Sequence, residues 1–179
     1  MRESGILMHI TSLPTPYGIG TMGKDAYAFV DFLVKAGQRC WQILPLTPTG
    51  YGDSPYQSLG ACAGNHYLID LDTLVDEGLL KKEEIQDISW GNNPKRVDFG
   101  AMYAHRMNVL RLAFQRFAPD EAYETFVEQN RSWLEDYALF MSLKDLHQGR
   151  SWHEWSPQYQ VLDTRTRKAA LTELADSIT

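Results

Sequence analysis

The sequence lacks the features that mark several classes of protein. Its two cysteines, Cys40 and Cys62, are too few for a disulfide framework and fit a reducing cytoplasm. No apolar window is long enough to span a membrane, and the N-terminus has no signal-peptide pattern. Acidic residues outnumber basic ones, 23 to 17, so a nucleic-acid partner is not expected. The five histidines show no metal-ligand spacing, and we expect neither a metal nor a cofactor.

The first part of the chain has the pattern of a strand–helix–strand unit. Residues 5–10 and 41–46 are short apolar runs that predict buried strands. Between them, apolar residues at helical spacing predict a helix over residues 23–36, with Gly37 just beyond its C-terminus. Such a unit joins two parallel strands, so the predicted fold class is α/β.

A long polar loop follows the second predicted strand. Residues 47–66 consist largely of Gly, Pro, Ser, Thr, Asp and Tyr and carry little charge. Loops of this length usually bind a ligand or are disordered, and the apolar surface of Tyr51, Tyr56 and Leu59 argues against disorder. Binding residues in α/β folds lie at the carboxyl ends of strands. We therefore expect a binding site here.

The loop composition suits a neutral, hydroxyl-rich ligand such as a sugar. A tyrosine ring can pack on the apolar face of a pyranose while polar side chains bond its hydroxyls. The candidate residues are Asp53, Ser54, Tyr56, Gln57 and Asn65. The alternative is a structural loop in which Asp53 caps a turn and the tyrosines fill gaps. Residue chemistry alone favours that alternative slightly.

The rest of the chain is predicted to be helical. Helices are expected over residues 99–117, 119–129, 133–147 and 163–178, with Ser132 as the N-cap of the third. The first has a predicted inward stripe of Met102, Tyr103, Met107, Leu110, Phe114 and Phe117, and the second one of Tyr123, Phe126 and Val127.

Two tryptophans, Trp152 and Trp155, lie in an aromatic, turn-like stretch. Their rings could form a platform for a sugar. Tryptophans three residues apart are more often helix-packing residues, so the packing interpretation is the commoner one.

A series of motifs resembles the amylomaltases, which are 4-α-glucanotransferases. In chain order they are HITSLP (9–14), PYGIG (16–20), WQILPL (41–46), GYGDSPYQS (50–58), AGN (63–65), LIDL (68–71) and WLEDYALFM (133–141). The resemblance covers essentially the whole chain, and the block at 50–58 is the most specific. His66 replaces an expected proline and Thr15 an expected glycine.

The resemblance implies the N-terminal portion of a (β/α)8 TIM barrel with a helical insertion. Such barrels need about 250 residues, and this chain has 179. On this interpretation residues 1–72 start the catalytic barrel, residues 73–160 form the helical insertion, and residues 161–179 begin a following, truncated helix.

The resemblance also implies an activity, the transfer of α-1,4-glucan segments between maltodextrins by a retaining mechanism. The family takes its catalytic carboxylates from later strands, so no catalytic residue is predicted here and the chain alone is expected to be inactive. The alternative is an independent α-glucan-binding or regulatory domain. In either case the expected partners are α-1,4-glucans.

Binding residues carry over from the family by position. Tyr56 matches the tyrosine that stacks on the sugar at the scissile bond. Asp53 and Ser54 match residues on the donor side of the cleft. Tyr51 resembles an aromatic residue of a secondary glucan site, to which Tyr103 is also assigned.

Overall fold

The computed structural model describes residues 2–50 and 52–175. The chain forms two compact units, Met1–Ala118 and Pro119–Thr179. The predicted boundary after residue 72 lies inside the first unit, and the division into barrel, insertion and following helix stays a prediction. No helix among the described residues has the length and apolar character needed to cross a bilayer.

The first unit begins with the predicted strand–helix–strand arrangement. Strand β1 (Gly5–Leu7) and strand β2 (Cys40–Gln42) pair in parallel, and helix α1 (Lys24–Lys35) lies between them in sequence. Gly37 has φ of 67°, and its N–H donates to the Val34 carbonyl at 3.0 Å. The left-handed backbone that ends this helix favours glycine, which is the residue predicted there.

The two strands are shorter and more exposed than predicted. Strand β1 ends at Leu7, and residues Ile10–Ser12 turn into a 3-10 helix. The prediction of buried strands is wrong, because Leu7 is 61% exposed and Ile6 is 38% exposed. Within the described residues the sheet has two strands, so each has a strand neighbour on one edge only. Parallel strands are buried when other elements cover both faces of the sheet, and the exposure of β1 and β2 shows that these strands are not covered in that way.

The remainder of the first unit is helical. Helix α2 covers Leu71–Asp76 and helix α3 covers Phe99–Phe114, with 3-10 turns at His66–Leu68 and Lys82–Glu84. The core shared by these elements consists of Tyr17, Ile19, Tyr67, Leu71, Leu80, Ile85, Trp90, Met102, Val109 and Ala113.

Helix α3 buries only part of the predicted stripe, in which Met102 is buried and Leu110 packs against the core. Its buried residues are Met102, Arg106, Val109 and Ala113. Tyr103 and Phe114, both assigned to the inward stripe, are 53% and 54% exposed. Apolar residues occur on several faces of this helix, so its periodicity alone does not select one face.

The second unit is built on one long helix rather than the two predicted. Helix α4 covers Glu121–Leu146, and the carboxylate of its N-cap, Asp120, accepts from the Tyr123 N–H at 2.8 Å. Ser132 lies inside this helix, so its prediction as an N-cap is wrong. The segment contains neither glycine nor proline, and extending a helix costs less than nucleating another.

Short elements complete the second unit. A 3-10 turn at Trp152–Glu154 leads to helices α5 (Pro157–Gln160) and α6 (Thr164–Glu173). The core contains Leu139, Leu143, Trp155 and Ala170, whereas Tyr123 and Phe126 are exposed rather than inward. The predicted end of the last helix, residues 176–178, lies outside the described residues.

Candidate functional site

The loop from residue 50 to residue 58 is closed at its base by backbone hydrogen bonds. The Gly50 N–H donates to the Gln57 carbonyl at 3.1 Å, and Thr49 forms an antiparallel bridge with Ser58. Inside the loop, the Gln57 N–H donates to the Ser54 carbonyl at 3.0 Å. The loop is therefore a closed, internally bonded structure. Tyr51 lies outside the described residues, and its assignment stays a prediction.

Two of the predicted site residues meet through their side chains. The Tyr103 hydroxyl on helix α3 donates a hydrogen bond to the Asp53 carboxylate. Burial, together with this bond to Asp53, raises the pKa of Tyr103. Asp53 has φ of 58°, in the left-handed region that aspartate tolerates better than most residues. The contact joins the loop to helix α3, which is a tertiary contact rather than the turn cap of the alternative interpretation, and the binding of a sugar by Asp53 stays a prediction.

Tyr56 does not fill a gap in the protein. Tyr56 is 72% exposed, and its backbone N–H donates to the Ser54 hydroxyl at 3.3 Å. The loop therefore holds the Tyr56 backbone while most of the residue stays open to solvent. A held but exposed aromatic residue can offer its ring to a ligand.

Asn65 is occupied in capping a turn. It is 8% exposed, and its side-chain oxygen accepts from the Tyr67 N–H at 2.9 Å. Its own N–H donates to the Leu46 carbonyl at 2.8 Å. These bonds join the end of the loop to the 3-10 turn at His66–Leu68, and a contact between Asn65 and a sugar stays a prediction.

Arg106 is a buried residue that the sequence interpretation missed. Its Nη2 atom donates to the carbonyls of Tyr67, at 3.2 Å, and Ile69. The guanidinium carbon lies 5.8 Å from the centre of the Trp90 ring. Burial lowers the pKa of Arg106 to about 10. The arginine thus joins helix α3 to the chain just beyond the polar loop. The sequence feature that indicates its burial is its position four residues after Met102, on the same face of the helix.

An ionic cluster around Asp72 was also missed. The Tyr17 hydroxyl donates to the Asp72 carboxylate. The ammonium nitrogens of Lys24 and Lys82 lie 2.9 Å and 3.0 Å from the carboxylate oxygens of Asp72. The hydrogen bond from Tyr17 and those from the lysines hold the pKa of Asp72 well below its usual range. The cluster joins the loop after β1 to helix α2, across sequence separations that no local pattern reveals.

A cavity of about 600 Å³ lies between residues 11–19 and residues 88–97. Its polar lining includes Thr11, Ser12, Asn92 and Asn93. None of the predicted site residues lines it. The turn-forming composition of residues 91–94 predicts only a turn, so this cavity arises from the tertiary contact of two separate segments.

Comparisons with known proteins agree on one family. A sequence model of glycoside hydrolase family 77, described as 4-alpha-glucanotransferase, matches residues 8–179. The 4-alpha-glucanotransferase of Streptococcus pneumoniae serotype 4 is 46% identical over 175 residues, covering 96% of this chain and 34% of the relative. The enzyme of that name from Thermus thermophilus is 45% identical over 183 residues, covering 99% of this chain and 36% of the relative.

A solved structure gives the same result. The amylomaltase from Streptococcus agalactiae, in complex with acarbose, superimposes with a TM-score of 0.92 at 42% identity. The match covers 99% of this chain and 37% of that chain. The chain thus spans about a third of the length of the relatives it matches. Because the family match extends over nearly all of its residues, this chain belongs to the 4-alpha-glucanotransferase family, glycoside hydrolase family 77.

Proposed function

We propose that the protein transfers α-1,4-glucan segments between maltodextrins. Membership of the family supports this, as does the shared name of its relatives. In the proposed retaining mechanism one carboxylate attacks the anomeric carbon and an acid protonates the leaving oxygen. A sugar hydroxyl, rather than water, then takes up the glycosyl group. The carboxylates would come from barrel strands outside residues 1–179, which leaves this segment a binding role.

The proposed architecture is a (β/α)8 barrel of which β1, α1 and β2 form one unit. The parallel pairing of β1 and β2 supports this, because a barrel is built from such pairs. The likeness to a solved amylomaltase supports it independently. In a barrel the polar loop after β2 would lie at the carboxyl ends of the strands, where active sites of this fold are found.

The polar loop is proposed to form the donor side of a glucan cleft. The exposure of Tyr56 on an otherwise bonded loop is the observation that carries this proposal. Its ring would stack on the sugar at the scissile bond, with Ser54 and Asp53 beside it. Tyr103, bonded to Asp53, would join Tyr51 in a secondary glucan site. The complex of the Streptococcus agalactiae neighbour with acarbose, a maltooligosaccharide analogue, supports a glucan ligand.

We place the protein in the cytoplasm. Cys40 and Cys62 are both free, and both are exposed. Exposed free thiols persist in a reducing compartment.

The test replaces Tyr56 in a complete enzyme that contains this segment. Tyr56→Ala should lower turnover of maltotriose by about fivefold to 150-fold, the loss of roughly 1–3 kcal/mol of stacking. The melting temperature should not change, because the residue is mostly exposed. Tyr56→Phe keeps the ring and should retain most of the activity. Tyr27→Ala, at a similarly exposed tyrosine on helix α1, serves as the control.

Three outcomes would contradict parts of this proposal. If Tyr56→Ala lost thermal stability in step with activity, the residue would be structural. If purified chain 1–179 converted maltotriose to glucose and longer maltodextrins, its own residues would contain the catalytic groups. Binding of maltodextrins by a complete protein without any transfer would favour the glucan-binding alternative.

A further inference from the structure

The second unit contains a cavity of its own. It has a volume of about 430 Å³, within the range of about 300–1,000 Å³ typical of small-molecule sites. Helix α4, the 3-10 turn at Trp152–Glu154 and helices α5 and α6 contribute its lining. Leu139, Leu143 and Trp155 are the buried part of that lining. The cavity lies entirely within residues 136–167 and shares no residue with the polar loop.

Four aromatic residues contribute to the lining. Trp152 is 47% exposed, whereas Trp155 is 5% exposed. The Phe140 ring lies 5.6 Å from that of Trp155, and Tyr159 also lines the cavity. A tryptophan that remains half exposed beside a buried aromatic cluster offers a flat, apolar face to a ligand.

The polar groups of the lining are held in fixed positions. The Gln160 amide nitrogen donates to the carbonyls of His153, at 2.9 Å, and Trp155, at 2.8 Å, which leaves the amide oxygen as an oriented acceptor. Arg167 bonds the Asp136 carboxylate through Nε at 3.0 Å and Nη2 at 2.7 Å. Within the described part of the chain, Nη1 of Arg167 and the indole N–H of Trp152 have no hydrogen-bond partner. Both remain available as donors.

The charge of the lining favours a neutral ligand. Asp136 and Arg167 are the charged side chains that line the cavity, and Arg167 pairs with both Asp136 and the neighbouring Glu135, so each charged group of the lining has a counter-charge. An anion or a cation would have to compete with these ion pairs. A ligand with an apolar face and several hydroxyls could instead stack on Trp152 and bond the available donors and the Gln160 oxygen.

We propose that this cavity is a further carbohydrate site, in addition to the polar-loop cleft and the proposed secondary site at Tyr51 and Tyr103, and that it binds one or two glucose units of an α-glucan chain. The choice of an α-glucan rests on the proposed function, whereas the choice of a neutral sugar rests on the cavity itself. Because the site shares no residue with the polar loop, it would hold a glucan independently of the transfer reaction.

Nuclear magnetic resonance of the tryptophan indole N–H groups tests this on the 179-residue chain. The chain has five tryptophans, so five signals report on separate places. Maltotriose at millimolar concentration should shift the signals of Trp152 and Trp155 saturably. The signals of Trp41 and Trp90, in the first unit, should not shift together with those of Trp152 and Trp155. Cellotriose, with β-linkages, should bind more weakly.

Variants separate this site from the loop. Trp152→Ala should weaken maltotriose binding about tenfold, read from the Trp155 signal, while Trp152→Phe retains part of the affinity. Because Trp152 is half exposed, neither change should unfold the chain, which the remaining indole signals would show. Tyr56→Ala should leave the shifts at this cavity unchanged.

Four results would overturn the proposal. They are an absence of shifts at Trp152 and Trp155, unchanged affinity in Trp152→Ala, equal binding of cellotriose, and loss of the shifts in Tyr56→Ala. None of them bears on glucan transfer, because that activity is tested separately by the turnover of Tyr56 variants in a complete enzyme.

Discussion

The hydroxyl of Tyr103 and the carboxylate of Asp53 are joined by a hydrogen bond across 50 positions of sequence. The bond links helix α3 to the closed loop that presents Tyr56. Arg106, one turn further along helix α3, bonds the chain just beyond the same loop. Helix α3 thus positions both the loop and the segment that follows it.

Tyr103→Phe should loosen the loop without unfolding the first unit. Loss of a hydrogen bond to a carboxylate should weaken local order by about 1–2 kcal/mol. Gly50 donates the N–H that closes the loop, and Gln57 donates to Ser54 inside it. Amide hydrogen exchange of both residues should therefore become roughly tenfold faster or more. Tyr27→Phe, on the exposed face of helix α1, is the matched control. Unchanged protection of both amides would show that the bond does not hold the loop.

Arg106→Ala should strongly destabilise the first unit. The change leaves a cavity and removes the donor for two backbone carbonyls, and such changes cost about 3 kcal/mol or more. Arg106→Met, which keeps the bulk of the side chain, should cost less. Urea unfolding measures both free energies.

An exposed arginine supplies the control for Arg106. Arg96→Ala should change the free energy of unfolding by no more than about 0.5 kcal/mol. An Arg106→Ala variant as stable as Arg96→Ala would mean that the buried guanidinium contributes nothing net to folding.

Asp72 should make stability depend on acid pH. Its hydrogen bonds with Tyr17 and the two lysines keep its folded-state pKa below the ordinary value of 3.8. The folded state therefore binds protons less readily than the unfolded state. The contribution of Asp72 is fully present above about pH 5 and declines as the pH falls below about 4 toward the folded-state pKa.

Unfolding of Asp72→Asn at several pH values measures this contribution. The difference in stability between wild type and the variant should be largest near neutral pH and should shrink in acid. Asp76→Asn, at an exposed position on the same helix, provides the comparison. A difference that stayed constant from about pH 7 to about pH 3 would contradict a role for the Asp72 charge.

The exposed apolar side chains of the first unit should promote self-association. On helix α1, Val34 is 69% exposed and Phe32 is 58% exposed, and on β1 Leu7 is 61% exposed. Large exposed apolar surfaces and unpaired strand edges favour aggregation. Val34→Lys should raise the protein concentration at which light scattering appears, with little change in circular dichroism.

Asp31→Asn is the control for charge, because it shifts the net charge by one unit in the same direction. The protein concentration at which light scattering appears should be nearly the same for this variant as for the wild type. If both variants delayed aggregation equally, net charge rather than apolar contact would be responsible.

Local patterns in the sequence predicted much of the first unit. The strand–helix–strand order, the parallel pairing and the glycine after helix α1 all follow from periodicity and turn chemistry within a few residues. The motifs at 50–58 pointed to the family because they combine rare residue choices in a fixed order. The same local reasoning placed a helix start at Ser132, where the uninterrupted helical sequence on both sides outweighs one capping pattern.

The sequence by itself determined the family, the first strand–helix–strand unit and the composition of a loop suited to sugars. Tertiary structure decided which face of helix α3 is buried, where Arg106 finds its acceptors and how Tyr17 and Lys82 surround Asp72. It also decided that Tyr56 is exposed while Asn65 is buried, although both belong to the same polar loop. Periodicity and capping act over a few neighbouring residues. Burial and partner choice instead depend on segments that are distant in the chain and meet only when it folds.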